Sequence, residues 1–433
     1  MSYNEQNMVK PEINRHKIVI SASTLVDCSM IVFFSSSFFR LIFSKILIGM
    51  RTGLMLQVAL DIVIFVPLLL GLFMEYRAHK KGSFVFLLVF ILVFCYFELT
   101  LLMHPTYASW FYRETYGVWD TVFRFDKGGI YGFLYFSLIK DGKRLFKNLK
   151  YIAFLSYVVL IYQYLQYLSN GYWTEMSYTG DLIRSSYSLD FGYNAIFIFI
   201  LFISFFLVEH KKTYLILSIP ALILMIMCGS RGPLLVALVF VLIYTIRFIL
   251  KADFKRKWLY IGLIVITAMI LVFSFDYIMA YIINVLTNMN LSSRTLQSLI
   301  SNKLFDDSGR SAISNLANSA IEEGSFWGYG AFGDRPIIGP YYAWGYCHNI
   351  LLEFQVDFGR VPGIIMLIII GYYTLRRFYQ AVDSKQFVVI LCIFAMCMRL
   401  VLSGTFWGDE FFWALLAIIF TWRNTNSNVT VRI

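Results

Sequence analysis

The chain has 433 residues, of which 59% are apolar and only 15% are charged. A typical soluble domain has about 25% charged residues, so this composition excludes a soluble globule. The formal charge is +11, but no arginine-rich face stands apart from the apolar runs, which argues against a nucleic-acid partner.

Apolar runs recur along the whole chain, each close to the 20 or so residues that a helix needs to cross a hydrocarbon layer. They predict an all-α integral membrane protein with a single polytopic domain over 1–433. The polar stretch 1–17 precedes a run that contains Asp27 and lacks a small-residue cleavage pattern, which indicates an uncleaved anchor. Hydropathy predicts about twelve transmembrane helices, at 18–36, 54–75, 83–103, 122–139, 151–169, 191–208, 213–229, 231–250, 258–275, 349–375, 386–404 and 409–422.

Lys and Arg are concentrated in the connections on one side of these spans, above all at 140–150 and 247–257. Short cytoplasmic loops carry such an excess. We therefore expect both termini to be cytoplasmic.

Residues 276–345 form one large extracytoplasmic loop, much longer than the other connections, and so long a loop is usually functional. Apolar residues at helical spacing, from Ala312 to Ile321, predict an amphipathic helix that starts after Asp307 and stops at Gly324. The Gly- and aromatic-rich stretch 325–346 predicts a shaped loop. We expect the active site here.

Two arginines stand at the starts of predicted helices, where backbone amides favour an anion. Arg231 opens the eighth span and Arg310 opens the loop helix. An arginine together with such amides suits a phosphate group. Other interpretations remain open, because Arg231 would also fit as a snorkelling residue at the lipid interface and Arg310 as an ion-pair partner of Asp306 and Asp307.

His348 lies where the chain leaves the loop and enters the tenth span. A helix N-terminus disfavours the imidazolium form, so a neutral ring that accepts a proton near pH 7 is one interpretation. A capping or interfacial histidine is the other. With five histidines and no pair at ligand spacing, the sequence predicts no metal site.

Four motifs occur in a fixed order along the second half of the chain. They are Gly229-Ser-Arg-Gly before a span, Gly309-Arg310 in the outer loop, Trp327-Gly-Tyr-Gly, and His348-Asn-Ile-Leu-Leu-Glu before Phe358-Gly. In this order and topology they resemble the O-antigen ligase and polymerase family, over about residues 190–375. The first half resembles the family through its span count.

The resemblance implies a GT-C-like helical glycosyltransferase in the bacterial inner membrane that needs neither metal nor cofactor. Its donor would be an undecaprenyl-diphosphate-linked oligosaccharide, and membrane lipids would surround it. A chain-length regulator is a further partner that the sequence leaves open. Family members often have a Pro-Asn pair at the start of the sixth span, where this chain has Tyr193-Asn194, so no role is assigned there.

The resemblance also implies roles for individual residues. Arg231 and Arg310 would bind the diphosphate, and His348 would activate the acceptor, so these three are the predicted catalytic residues. Aromatic side chains of the loop would pack on sugar faces, although anchoring at the interface explains them equally well. The predicted substrate-binding residues are Arg184, Trp327, Gly328, Gly330, Tyr341, Trp344 and Asn349.

The sequence thus predicts an enzyme that joins lipid-linked repeat units into O-antigen or capsular polysaccharide. An O-antigen ligase, which moves the finished glycan onto lipid A core, is the alternative with the same donor. A lipid-linked sugar transporter or flippase is the alternative from another class. Such carriers usually place charges at the membrane midplane and show two related halves, whereas the polar residues here gather in one outer loop.

Overall fold

The computed structural model describes the greater part of the chain. The described ranges are 21–46, 53–79, 84–176, 182–185, 188–228, 231–251, 310–342 and 345–422, with the single positions 253, 277, 281 and 284. Within these ranges the regular structure is helical apart from one two-stranded hairpin.

The described helices are named here in chain order. Before the outer loop they are α1 Ala22–Phe34, α2 Ser36–Ile46, α3 Gly53–His79, α4 Phe84–Met103, α5 Ala108–Phe111, α6 Ile130–Leu138, α7 Gly142–Asn170, α8 Leu189–Glu209, α9 Lys212–Cys228 and α10 Arg231–Lys251. In the loop and after it they are α11 Arg310–Glu323, α12 Asp334–Ile338, α13 Ile350–Phe358, α14 Arg360–Gln380, α15 Ser384–Cys397 and α16 Glu410–Thr421. The antiparallel hairpin of β1 Trp173–Met176 and β2 Leu182–Ser185 connects α7 to α8.

Several of these helices are long and apolar enough to cross a membrane. Among the described residues there are seven such helices, within α3, α4, α7, α8, α10, α14 and the run from α15 to Val401. The pair α1 and α2, bent by 75° at Ser35, would make eight, and α9 and α16 are shorter apolar helices. The prediction of a helical, multi-pass membrane protein is confirmed, whereas the number of twelve spans is not.

Two predicted spans are not single helices, and a third cannot be compared. Only nine residues of 122–139 are α-helical, as α6, because a π-helical turn and further turns occupy 119–129. The segment 349–375 is divided into α13 and α14 at Gly359, whose φ of +89° is left-handed. The predicted ninth span, 258–275, lies outside the described residues.

Ion pairs identify one end of the helix bundle, which we call the basic end. Arg144 near the start of α7 binds Asp27 of α1 with Nε–Oδ1 at 2.8 Å, and Lys150 of α7 binds Glu209 at the end of α8. Arg377 of α14 donates to carbonyl groups in the last turn of α16 and just beyond it. At the opposite end, which we call the loop end, lie residues 104–129, 310–349 and 398–410.

The core combines large aromatic side chains with close helix contacts. The contact of α6 with α16 depends on Gly132, where a Cβ would lie 1.9 Å from the Glu410 carbonyl oxygen. In contrast, α4 is apolar around its circumference and mostly exposed, as expected for a helix that faces lipid. The fully buried aromatic residues include Tyr135, Phe136, Phe202 and Phe205.

Candidate active site

The outer loop is docked on the bundle through the turn at Gly328–Gly330. Gly328 and Gly330 have φ values of +70° and +83°, and the amides at 329 and 330 donate to the carbonyls of Val356 and Asp357, both at 2.9 Å. A Cβ at Gly328 would lie 2.3 Å from the amide nitrogen at the helix break. Both glycines therefore let the loop backbone approach the end of α13, and their predicted contact with substrate stays a prediction.

Helix α11 fixes the position of Arg310. It begins at Arg310 and ends before Gly324, which confirms the predicted loop helix and its stop. Its buried face, Ile313 and Ala317, packs in a small apolar cluster with Cys347 and Val356. Because Asp307 lies outside the described residues, the predicted N-cap stays a prediction.

A buried ionic cluster lies beneath the loop and consists of Asp334, Arg335, Glu353 and Asp357. Arg335 pairs with Asp334 at 2.7 Å and lies 3.8 Å from Glu353. The side chains of Arg335 and of the first two acids are at most 4% exposed, and Asp357 is fully buried. We call these four residues the acid cluster.

Hydrogen bonds from three segments satisfy the carboxyl groups of the acid cluster. The Cys347 amide donates to Asp334 at 2.9 Å. Glu353 accepts from the Thr405 hydroxyl and from the amide at 406, and Asp357 accepts from the Trp407 indole at 2.7 Å. The cluster therefore joins the loop, α13 and the connection before α16.

The electrostatics of the acid cluster favour a retained proton. Three buried carboxyls face one guanidinium, and burying unpaired charge is costly. Burial, and then the negative charge of Asp334, raises the pKa of the Glu353 carboxyl to about 8. Burial likewise raises the pKa values of Asp334 and Asp357. At pH 7 the cluster holds at least one proton.

His348 lies just above this cluster in a left-handed conformation, with φ of +53°. Its ring centroid is 4.1 Å from that of Tyr346. Burial of the ring, and then the positive charges of Arg310 and Arg335, lower the pKa of His348 to about 4. The imidazole is therefore neutral at pH 7, as predicted, but it is a weaker base than predicted.

The ring nitrogen Nδ1 of His348 is buried and has no hydrogen-bond partner among the described residues. Buried polar atoms are nearly always paired, so an unpaired one needs an explanation. A substrate hydroxyl would supply the missing partner. The side chain of neighbouring Asn349, in contrast, is already used, because it caps α13 by accepting from the Leu351 amide at 2.9 Å.

Arg310 is an exposed cation close enough to His348 and to Tyr193 for its charge to act on both. No ion pair or hydrogen bond holds its guanidinium within the described ranges. The predicted alternative partners, Asp306 and Asp307, lie outside those ranges. This cation therefore resembles an anion-binding group more than a member of a closed ion pair.

Tyr193 brings the start of α10 to the same end of the bundle. Its hydroxyl is buried and lacks a hydrogen-bond partner in the described part of the chain. A Cβ at Gly232 would lie 1.9 Å from this hydroxyl, so the first turn of α10 contacts Tyr193 directly. The backbone of Arg231 thus begins α10 beside Tyr193, whereas the Arg231 side chain lies outside the described residues.

The remaining predicted residues have other positions. Arg184 lies in β2, and its guanidinium stacks on the Tyr172 ring at 4.5 Å. Trp327 and Tyr341 are 74% and 70% exposed on the loop. Trp344 lies outside the described residues. No described contact joins Arg184 to His348, so its predicted substrate contact stays a prediction.

The sequence analysis missed Arg335 and Tyr193 as site residues. A usable signal was present for Arg335, because Glu353 and Asp357 are four residues apart and share one face of α13. Two acids on one face of an apolar helix call for a buried cation. For Tyr193 no signal was available, since its neighbour Gly232 is far away in sequence.

The fold and site define a multi-pass helical membrane protein with an exposed cation, a neutral histidine and helix amides at one end. Residues 215–368 of the chain match the family model of O-antigen ligase. This segment, about a third of the chain, covers all four of the motifs named above. The resemblance to the O-antigen ligase and polymerase family is confirmed, and the match supports a function of that type.

No curated protein and no solved structure matches the chain. The likeness to GT-C-type glycosyltransferases therefore stays a prediction.

Proposed function

We propose that this protein polymerises undecaprenyl-diphosphate-linked oligosaccharide repeat units into O-antigen or capsular polysaccharide. The observation that carries this proposal is the convergence of Arg310, His348 and Tyr193 at the loop end. Among the described residues, the Arg310 guanidinium, the Nδ1 atom of His348 and the Tyr193 hydroxyl lack partners. Arg310 and His348 lie in the segment that matches the O-antigen ligase family.

The reaction breaks the bond between the anomeric carbon and the diphosphate oxygen, and that electron pair leaves with the diphosphate. Negative charge therefore grows on the leaving group, and cations held in place lower the barrier by stabilising it. Arg310 is placed to do this. Arg231 and the first-turn amides of α10 would add a second set of donors next to Tyr193.

An acceptor hydroxyl attacks the anomeric carbon and loses its proton as the new glycosidic bond forms. His348 is proposed to accept that proton on its unpaired nitrogen. Its low pKa is due in part to Arg310, and a bound diphosphate offsets that positive charge. Substrate binding is therefore expected to raise the pKa of His348 and to strengthen it as a base.

The proposed site lies on the outer face of the bacterial inner membrane, with both termini in the cytoplasm. The basic end of the bundle supports this orientation, because cytoplasmic connections carry the excess of Lys and Arg. The lipid-linked oligosaccharide would enter from the surrounding lipid, and a chain-length regulator remains a candidate partner.

The experiment that tests this function is polymerisation by the purified protein. We would supply detergent-solubilised protein with lipid-linked repeat units alone and separate the products on a gel. A ladder of longer lipid-linked chains is expected for the wild type and not for His348→Ala or Arg310→Ala. Matched controls are His104→Ala and Arg360→Ala, which change a loop-end histidine and an exposed arginine that also opens a helix.

A ligase is the second candidate, favoured by the description of the family that matches residues 215–368. It uses the same donor but needs a different acceptor. Product that forms only after lipid A core is added would establish the ligase and exclude the polymerase. An intact donor under both conditions, with transfer of the lipid across vesicles, would instead favour a transporter.

A further inference from the structure

A partly open cavity, lined by both polar and apolar side chains, lies between the helices in the half of the bundle next to the loop end. Its volume is about 170 Å³. It lies where α1 and α2 bend apart, and its walls come from α7, α8, the end of α15 and the start of α16. Since one water molecule in the liquid takes up about 30 Å³, this space equals five or six waters, close to one sugar ring.

The charged side chains around the cavity already have partners. Arg399 pairs with both Asp409 and Glu410. Lys127 binds Asp120 at 2.8 Å, and Asp126 is held by Arg40 and Arg124. Because these charges are balanced within the protein, the cavity does not call for an ionic ligand.

Two side-chain amides that line the cavity, unlike these charges, lack hydrogen-bond partners among the described residues. The Oε1 atom of Gln163 in α7 is buried without a hydrogen-bond partner among the described residues. Asn194, near the start of α8, is an exposed position on a helix face otherwise buried, and its amide makes no hydrogen bond within the described ranges. The buried Oε1 atom of Gln163 needs a hydrogen-bond donor, and the exposed amide of Asn194 can both donate and accept. A ligand with hydroxyl groups suits both.

Aromatic side chains form part of the cavity wall, together with serine and aliphatic side chains. Phe34 and Phe197 both contact Phe411, with ring centroids 6.0 and 5.0 Å apart. Aromatic faces pack well against apolar surfaces, including the C–H face of a sugar ring. A lining that combines amide groups with aromatic rings suits a neutral ring that carries hydroxyl groups.

We propose that this cavity binds one neutral sugar residue of the glycan on which the enzyme acts. This inference rests on the proposed function, because it assumes a glycan substrate. The cavity adjoins the candidate active site through Arg399, which lines it and whose charge also acts on the Tyr193 hydroxyl. Asn194 follows Tyr193 in the chain. A sugar bound here would hold the next sugar of the glycan beside the catalytic groups.

The test measures occupancy of the cavity directly, without turnover. The variant Ser36→Cys introduces a cysteine at a position of α2 that lines the cavity. The control variant, Ser44→Cys, introduces one on the same helix outside the cavity. The full-length protein is treated with a water-soluble maleimide. Labelling is read at each position by peptide mass spectrometry, since native cysteines are present elsewhere.

Two probes separate the sugar from the diphosphate. One is the oligosaccharide released from the lipid-linked donor by mild acid, and the other is farnesyl diphosphate, which has no sugar. The oligosaccharide at about ten times its Kd should slow labelling at position 36 about tenfold and leave position 44 unchanged. Farnesyl diphosphate should slow neither. Gln163→Leu should abolish the protection, whereas Gln166→Leu, an exposed glutamine on the same helix, should preserve it.

The possible results are distinct. No protection at position 36 would mean that the cavity holds only solvent and would overturn the proposal. A thiol there that never reacts would mean that soluble molecules cannot enter the cavity, which would overturn it as well. Protection by farnesyl diphosphate alone would overturn it in favour of a lipid or phosphate site. If the protein polymerises repeat units but shows no protection, the proposed function stands and the sugar site falls. Protection without polymerisation keeps the sugar site and rejects the polymerase.

Discussion

Two charged regions lie next to each other at the loop end and differ in how their charges are matched. In the acid cluster, Arg335 is buried against its carboxyl partners, and each carboxyl also accepts a hydrogen bond. In the neighbouring region, Arg310 is exposed, and the Nδ1 atom of His348 has no hydrogen-bond partner in the described part of the chain. A closed network stabilises a fold, whereas an open one retains binding capacity for a ligand. The two arginines should therefore respond in opposite ways to substitution.

The largest expected effect is on stability, from Arg335→Met. Removal of one partner of a buried ion pair leaves uncompensated charge, which costs about 3–5 kcal/mol. We expect the free energy of unfolding to fall by that amount, measured by denaturant or thermal unfolding in detergent. Arg360→Met is the matched control and should change it by less than about 0.5 kcal/mol. Equal stability of the two variants would contradict the structural role of the cluster.

For Arg310→Ala we expect a large loss of activity and little change in stability. Loss of one preorganised charge at a developing oxyanion typically lowers kcat by about 100- to 1,000-fold. Stability should stay within about 0.5 kcal/mol of the wild type, because the side chain is exposed. Arg310→Lys keeps the charge but loses the planar fork, so its activity should fall between the two. A variant that is unstable and inactive together would place Arg310 in a structural network instead.

The pH dependence of activity should report His348. With the pKa lowered to about 4, the ring of the free enzyme is neutral from pH 8 down to about 5. The value of kcat/KM, which reports free-enzyme groups, should therefore be flat over that range and fall as the pH approaches 4. In kcat the fall should begin at higher pH, because bound diphosphate raises the pKa. An acidic limb of kcat/KM near 6.5 would mean that the ring is not desolvated.

The pH dependence of stability should report the Glu353 carboxyl, whose pKa is raised, whereas that of His348 is lowered. Its pKa is raised to about 8 in the folded protein, from the ordinary value near 4.5. Between those values the folded state binds the extra proton, so the stabilisation is full below pH 4.5 and is lost as the pH rises to 8. Glu353→Gln keeps hydrogen-bonding capacity without a charge, and it should make unfolding less dependent on pH in this window. If the stability of Glu353→Gln depends on pH just as that of the wild type does, Glu353 is ionised in the folded protein.

The smallest expected effect is that of Asn349→Ala. Loss of a helix cap costs about 1 kcal/mol, and Asn349→Ser should restore most of it. Because the side chain is engaged with the Leu351 amide, kcat/KM should change little. A loss of activity with full stability would instead support the predicted contact of Asn349 with substrate.

Hydropathy predicted most of the architecture, because the apolar length of a span is a local property of the sequence. The C-terminal end of α11 was predicted for a similar reason, since Gly324 stops a short amphipathic pattern. The break at Gly359 was missed. A glycine within an apolar run is compatible with a continuous helix, and it is the Phe326 carbonyl, where a Cβ would lie 1.9 Å away, that requires glycine there.

For the site, Arg310 and His348 were predicted from the sequence, whereas Tyr193 and the acid cluster were not. Arg310 and His348 were recognisable because their chemistry is unusual for a position at a helix start. The partners of the acid cluster come from segments as much as 53 residues apart, as for Glu353 and the amide at 406. Such pairing depends on how the helices pack, which one sequence does not reveal.

The break at Gly359 also sets an order of assembly during synthesis. In a continuous helix the carbonyls of Val356 and Asp357 would bond to amides four residues later, at 360 and 361. Because α13 stops at Phe358, these carbonyls are free to bind the loop amides at 329 and 330. Both helices follow the loop in the chain, so a newly exported loop has no docking surface until α13 and α14 are in place. The site would therefore be inactive in every shorter nascent chain.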